Sequence, residues 1–299
     1  MKFIRISDDR GVRLEWTAPP ARIVSLVPSD TYSLVRLGAR DRLVGRTRYC
    51  VAPADEVAGV EVVGGTKDAD VDRIVALAPD LVVANQEENT KRDILRLEER
   101  GLRVLVSFPQ RVSAGVAHLA RLARALGFDR GEEPARSVVA GAYQALREAE
   151  AALKGRAPVR AFVPIWMDPL MTVHASTFIS DMLALAGAEN VFADRERRYP
   201  LAADLGTGRP LPADRVADRD VRYPRISLGE VVVRAPDLVL LPDEPHPFTE
   251  ADAAVFSALE IPAAQRSAVL FCDGKDLMWY GARSLEGLGR LRALVDRAR

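Results

Sequence analysis

The chain has 299 residues, of which 48% are hydrophobic and 28% are charged, a composition typical of a globular protein with room for two ordinary domains. Lys and Arg together number 42, as do Asp and Glu, so the formal net charge is zero, which argues against nucleic acid as a partner. Every apolar run falls short of the roughly 18 residues needed to cross a bilayer, which argues against a membrane-spanning protein.

The first predicted element is a hairpin within residues 1–20. Two stretches of alternating apolar residues flank the turn sequence Asp9-Arg10-Gly11. The same stretch lacks the apolar core and the small-residue cleavage site of a signal peptide, so we expect a cytoplasmic protein. The alternative is a periplasmic or extracellular protein whose signal lies upstream.

Residues 21–130 predict an α/β lobe. Short apolar runs at 21–27, 43–45, 81–84 and 104–106 read as strands. Helical patterns separate them, beginning with one that starts after Pro28. Because short connections between alternating strands and helices imply right-handed crossovers, we expect a parallel sheet.

Residues 131–155 predict one connecting helix. Apolar residues recur every three to four positions, and no turn signal interrupts residues 136–153. A helix of about 24 residues would span roughly 36 Å and would act as a rigid strut.

Residues 156–299 predict a second α/β lobe, with strands at 159–163, 238–241 and 269–272. Residues 192–225 interrupt the pattern with four prolines and fourteen charges, which predicts a long surface loop. The sequence Ala-Pro-Asp-Leu-Val occurs around both Pro79 and Pro236, which suggests two similar lobes. A cleft between two lobes is where a small ligand usually binds.

Several motifs resemble the ABC-transporter substrate-binding proteins with a helical backbone, such as those for vitamin B12, ferric siderophores and haem. The motifs are Asp8-Asp-Arg-Gly, Pro20-Ala-Arg-Ile-Val-Ser-Leu-Val-Pro-Ser, Leu43-Val-Gly, Val63-Gly-Gly, and segments 74–83 and 181–192. The resemblance covers roughly residues 8–294. It implies two Rossmann-like lobes with parallel sheets, joined by one long backbone helix, and a ligand in the cleft.

The resemblance also implies partners. In such proteins one acidic residue on each lobe docks onto arginines of a membrane permease, and Glu88 and Glu250 are the candidates for that contact. The implied ligand is a metal chelate: cobalamin or another corrinoid first, ferric siderophore or haem second. Any cobalt or iron then comes with the ligand, so we expect the protein to have no cofactor of its own. The alternative is a cytoplasmic enzyme or chaperone of corrinoid or metal-cofactor metabolism on the same scaffold.

The candidate ligand-binding residues lie in predicted loops after strands, where the carboxyl ends of parallel strands point toward a ligand. A large, flat ligand calls for aromatic faces and a few polar anchors. The candidates are Arg48, Tyr49, Glu87, Trp166, Met167, His174, His246, Phe248, Trp279 and Tyr280.

Direct binding of a bare metal ion is an alternative for some of these residues. His174 and His246 could converge with Glu87 or Glu88, but the chain has only three histidines, so we expect no protein metal site. We also expect no catalytic residues, because Gly-x-Ser-x-Gly, the P-loop, Cys-x-x-Cys and His-Glu-x-x-His motifs are all missing. Cys50 and Cys272 read as two free thiols.

Overall fold

The computed structural model describes residues 3–128 and 131–299, and the internal contacts divide the chain into two units. The first unit comprises Met1–Leu146 with Trp279–Arg283, and the second comprises Arg147–Met278 with Ser284–Arg299. This division falls inside a helix and follows contacts, whereas the domain boundaries expected from the sequence follow secondary structure. Those boundaries therefore stay predictions.

The first unit begins with an antiparallel hairpin and continues with strands and helices that alternate. Its strands are β1 (Ile4–Ser7), β2 (Arg13–Trp16), β3 (Ile23–Ser25), β4 (Leu43–Arg46), β5 (Glu61–Val62), β6 (Leu81–Asn85) and β7 (Val104–Ser107). Its helices are α1 (Pro28–Arg36), α2 (Ala54–Val57), α3 (Val71–Ala76), α4 (Lys91–Glu99) and α5 (Val112–Ala125), with a 3-10 turn at Arg40–Arg42.

The first sheet is parallel throughout, in the order β5-β4-β3-β6-β7. Strands β3, β6 and β7 are buried along their whole length, which is typical of a parallel sheet covered on both faces. Numbered by occurrence within the sheet, the order is 3-2-1-4-5, as in Rossmann folds, so the α/β lobe predicted from the sequence is confirmed.

Helix α6 (Ala135–Ala152) follows and carries the chain from the first unit into the second. It has 18 residues, about 27 Å at the usual rise, so the expectation of about 24 residues is too long. The apolar pattern in the sequence extends beyond both ends of the observed helix. Pro134 has no N–H to continue a helix, and Gly155, with φ at 75°, lies in the turn beyond the last helical residue.

The second unit repeats the α/β plan. Its strands are β8 (Val159–Phe162), β9 (Trp166–Met167), β10 (Leu170–Met171), β11 (Ala188–Asn190), β12 (Leu238–Pro242) and β13 (Val269–Cys272). Its helices are α7 (Phe178–Ala186), α8 (Leu201–Asp204), α9 (Leu228–Arg234), α10 (Glu250–Ser257), α11 (Pro262–Gln265), α12 (Gly274–Met278) and α13 (Ala282–Asp296), the last beginning in the first unit, with a 3-10 turn at Ala213–Arg215.

The second sheet is also parallel, in the order β11-β8-β12-β13. Phe162, Phe192 and Phe256 are fully buried and form the aromatic centre of its core. Cys50 and Cys272 are free thiols, as predicted. Within the described residues, no helix has the length and apolar character needed to cross a membrane.

Candidate ligand-binding site

The strand order of the second sheet defines a site at the carboxyl ends of β8 and β12. These strands are neighbours, but the next strand of this sheet after β8 is β11 on one side, while β13 follows β12 on the other. Loops that leave neighbouring strands in opposite directions open a crevice, which is where open α/β sheets bind ligands. The two connecting segments here contain residues 163–168, which include the short strand β9, and residues 243–249.

The two loops bring three of the predicted residues together as an aromatic surface. The Trp166 and His246 ring centroids lie 5.4 Å apart, and His246 meets Phe248 at 4.7 Å with the rings 77° apart. Trp166 is 43% exposed, whereas Phe248 is buried in the core of the second unit. The buried Phe248 ring therefore packs against His246 from the core side, and part of the Trp166 indole remains exposed to solvent.

The short hairpin β9–β10 positions Trp166. Trp166 pairs with Met171 across the hairpin, and its indole N–H donates a hydrogen bond of 3.0 Å to the Asp168 carbonyl oxygen. Met167, the next residue, points its half-buried side chain against the core. The indole is thus fixed by its own turn while its face remains accessible.

The start of α10 positions His246. Thr249 and Asp252 form a reciprocal capping box, and the Asp252 carboxylate lies 3.9 Å from His246 Nε2. Hydrogen bonds from the Thr249 backbone and hydroxyl hold the pKa of Asp252 below its usual range, so that this carboxylate faces the imidazole as an anion at neutral pH. Glu250 is exposed in the first helical turn, where an acid is also favourable for the helix dipole.

His174 occupies a different place in the second unit. Its Nδ1 accepts a hydrogen bond of 3.1 Å from the Ser176 backbone N–H, and its own backbone N–H donates to the Arg222 carbonyl oxygen. The half-buried ring thus organises the turn before α7. The structure does not place it in the aromatic surface formed by Trp166, His246 and Phe248.

Two candidates of the first unit, Arg48 and Tyr49, lie together in the loop after β4. Arg48 forms a bidentate pair with Asp68 at 2.8 and 3.1 Å, and its guanidinium group lies 5.7 Å from the Tyr49 ring centroid. The hydrogen bonds from Arg48 lower the pKa of Asp68. Tyr49 is 53% exposed, so its ring remains available to a ligand.

Glu87 and Glu88 lie in the turn after β6. The Asn85 side-chain oxygen accepts hydrogen bonds from both of their backbone N–H groups, at 2.7 and 3.2 Å, which fixes the turn. Lys67 donates to the Glu87 carbonyl oxygen. Glu88 is exposed and therefore accessible to a partner, as its proposed docking role requires.

Trp279 and Tyr280 are buried in the first unit, whereas the candidates Tyr49 and Trp166 are exposed. Trp279 packs edge-on against Tyr32, at 6.3 Å between centroids. The Tyr280 hydroxyl group donates to Asp30 at 2.9 Å and lies 2.8 Å from the Ser107 hydroxyl group. This placement gives Tyr280 a structural task that the sequence pattern did not indicate.

The same buried cluster contains a histidine that sequence reasoning did not place there. His118 Nε2 lies 2.9 Å from the other Asp30 oxygen, and its ring packs edge-on against Tyr280 at 5.7 Å. Burial, followed by the Asp30 charge, raises the pKa of Tyr280 well above its ordinary value. The sequence contains little indication of this role for His118, because a histidine on the apolar face of α5 looks like an ordinary core residue.

The described residues contain no group of three or more His, Cys, Asp and Glu side chains that could hold a metal ion. Each unit therefore has its own candidate binding surface. The second unit has an exposed indole and a half-buried imidazole over a packed core, and the first unit has an exposed phenol beside an arginine. Such surfaces suit a large ligand with a flat, partly apolar body.

Comparison with known proteins identifies the family of the chain. The model of the periplasmic binding protein family matches residues 23–249, so the chain belongs to this family. The vitamin B12-binding protein of Photorhabdus laumondii is 24% identical over 224 residues, which cover 75% of this chain and 71% of the relative. The vitamin B12-binding protein of Yersinia pestis is 29% identical over 179 residues, which cover 60% of this chain and 62% of the relative.

Solved structures share the fold. The periplasmic vitamin B12 binding protein BtuF of Vibrio cholerae superposes with a TM-score of 0.73 at 21% identity, covering 94% of this chain and 98% of that chain. The periplasmic heme-binding protein RhuT from Roseiflexus sp. RS-1 in apo form gives 0.71 at 18% identity, covering 94% and 100%. The fold expected from the sequence, with two Rossmann-like lobes and a backbone helix, is therefore confirmed.

Proposed function

We propose that this protein binds a metal chelate as the solute-binding component of an ABC transporter, with a corrinoid as the first candidate ligand and a ferric siderophore or haem as the second. The observation that carries the proposal is the aromatic surface of Trp166, His246 and Phe248 at the carboxyl ends of β8 and β12. Relatives named for vitamin B12 and haem support this choice of ligands. The cobalt or iron belongs to the ligand, so the protein needs no cofactor of its own.

Two further parts of the proposal follow from the same relatives. The related structures are described as periplasmic, which supports a site of action outside the cytoplasm over the cytoplasmic location expected from the N-terminal residues. Glu88 and Glu250 are exposed, one in each unit, and we assign them to docking on a permease. The matched relatives are named as binding proteins, which supports binding over an enzymatic role.

Calorimetric titration of the full chain with aquocobalamin, haemin and a ferric siderophore tests the proposal. We expect saturable binding of at least one of them. Trp166→Ala should weaken that ligand by about 1–3 kcal/mol, the scale of a lost aromatic contact. Tyr143→Ala is a matched control, because Tyr143 is a 38% exposed aromatic residue on α6.

Each failure has its own meaning. If none of the three chelates binds, the proposed function is wrong. If a chelate binds the wild type and Trp166→Ala equally well, with the unfolding temperature unchanged, then Trp166 is not part of the site. Equal weakening by Tyr143→Ala would also contradict a specific role for the indole.

A further inference from the structure

The segment 192–225 of the second unit carries an arginine-lined cavity apart from the aromatic surface. The cavity is open to solvent, has a volume of about 430 Å³ and is lined by four exposed residues, Leu211, Pro212, Arg215 and Arg219. This volume lies within the range of small-molecule sites in proteins. Two of its four lining residues carry a permanent positive charge.

Tyr199 links the cavity to a third arginine. The Arg219 guanidinium carbon lies 4.9 Å from the Tyr199 ring centroid, and that of Arg197 lies 4.4 Å from the same centroid. Both guanidinium groups therefore lie next to the same aromatic ring. The Leu211 backbone N–H donates to the Tyr199 carbonyl oxygen at 2.7 Å, which ties the Tyr199 backbone to a residue that lines the cavity.

Two carboxylates of this segment pair with arginines that do not line the cavity. Asp220 accepts two hydrogen bonds from Arg222, at 2.9 and 2.6 Å, and Asp204 pairs with Arg195 at 3.0 Å. Within residues 3–128 and 131–299, Arg197, Arg215 and Arg219 form no ion pair with a carboxylate. Asp214 and Asp218 adjoin Arg215 and Arg219 in the sequence, but segment 192–225 carries eight arginines against six Asp and Glu residues, so a net positive charge remains.

Gathering like charges costs free energy, and an anion bound among them recovers it. The planar guanidinium group matches the geometry of carboxylate and phosphate oxygens, with two parallel hydrogen bonds to one anionic group. Burial, followed by the charge of Arg197, lowers the pKa of the nearby Arg225, as expected for crowded cations.

We propose that this cavity binds a small anionic molecule through a carboxylate or phosphate group. Arg215 and Arg219 contact the anionic group, Arg197 adds to the positive field from the other face of the cluster, and Leu211 and Pro212 cover the apolar part of the molecule. This site is separate from the proposed chelate site, so it stands or falls independently of the proposed function.

Calorimetric titration with inorganic phosphate and with citrate, in buffer of low ionic strength, tests the site. We expect saturable one-to-one binding of at least one ion, and the ion that binds more tightly identifies the group as phosphate or carboxylate. Arg219→Gln should weaken binding at least about tenfold, because a charge-assisted hydrogen bond is lost. Arg209→Gln is the matched control, since Arg209 is exposed in the same segment and does not line the cavity.

Two results would overturn the proposal. One is the lack of saturable binding by either ion; the other is equal weakening by Arg209→Gln and Arg219→Gln, which would mean that only the overall charge matters. Should Arg219→Gln alter the circular dichroism spectrum, Arg215→Gln replaces it as the test variant. Haemin and aquocobalamin titrated into the same variants report the chelate site separately.

Discussion

The Tyr280 hydroxyl group contacts three polar side chains in the first unit. It donates to Asp30 at 2.9 Å, lies 2.8 Å from Ser107 and accepts from Asn85 at 3.3 Å. All of these residues are buried. Buried polar groups are costly when they lose a partner, so this one hydroxyl group stabilises several elements at once.

Replacing Tyr280 with Phe should therefore lower the free energy of unfolding by about 1–3 kcal/mol at pH 7, because Asp30 and Ser107 lose a buried partner. Urea denaturation measures this change. Tyr143→Phe is the control, since that exposed ring has no comparable burial and should change stability by less than about 0.5 kcal/mol. Equal stability of wild type and Tyr280→Phe would contradict the structural role.

The same residue predicts a dependence on alkaline pH. Burial, and next the Asp30 charge, raise the pKa of Tyr280 well above 10.0, so the folded state keeps the proton longer than the unfolded state does. The stabilisation is complete below the unfolded pKa and is lost as the pH rises above it. The wild type should thus lose stability more steeply than Tyr280→Phe above about pH 10. Parallel curves of unfolding free energy against pH would contradict this.

Local sequence predicted the surroundings of some candidate residues and not of others. Trp166, His246 and Phe248 follow predicted strands, and the general geometry of parallel sheets was enough to select them. Tyr280 also follows a predicted strand, yet its partners Asp30 and Ser107 are 250 and 173 residues away along the chain. Nothing in the sequence around Tyr280 reports such distant contacts, so its burial could not be predicted.

Segment 192–225 shows how buried ionic contacts organise an irregular element. Arg195 and Asp204 are both buried and pair at 3.0 Å, and the Asp204 carboxylate also accepts from the backbone N–H groups of Arg198 and Arg225. Arg195 in turn reaches Glu230 on α9 at 3.0 Å. One carboxylate therefore ties together both ends of a segment with little regular structure.

Asp204→Ala should destabilise this segment by about 3 kcal/mol, because the buried Arg195 keeps only Glu230 as an ionic partner and two backbone N–H groups lose their acceptor. Limited proteolysis between residues 197 and 225 should become faster, and the unfolding temperature should fall. Asp214→Ala is the matched control, because Asp214 is exposed in the same segment. Similar proteolysis of both variants would contradict the anchoring role of Asp204.

The regular elements were easier to predict than their limits. Buried strands such as β6 and β7 are short apolar runs in the sequence, and this pattern predicted them. The edge strand β5 has only two residues, one of them charged, and gives no such signal. Segment 192–225 was expected to be a surface loop. Its buried ion pair between Arg195 and Asp204 was not predicted, because that pair depends on tertiary packing.

At the level of the whole chain, family and fold rest on many weak signals in the right order. The repeated Ala-Pro-Asp-Leu-Val sequence marks β6 and β12, which hold equivalent positions beside the first strand of each parallel sheet. The identity of the ligand is harder to predict from the sequence than the fold, because it depends on a few side chains in loops and not on the scaffold.

Hydrogen exchange with and without the tightest-binding chelate tests the central claim most directly. The loops at the carboxyl ends of β8 and β12, residues 163–168 and 243–249, should exchange more slowly when the ligand is bound. The helices on the far side of the second sheet should be unaffected. Saturation with the chelate that leaves both loops unprotected would contradict a ligand site built on Trp166, His246 and Phe248.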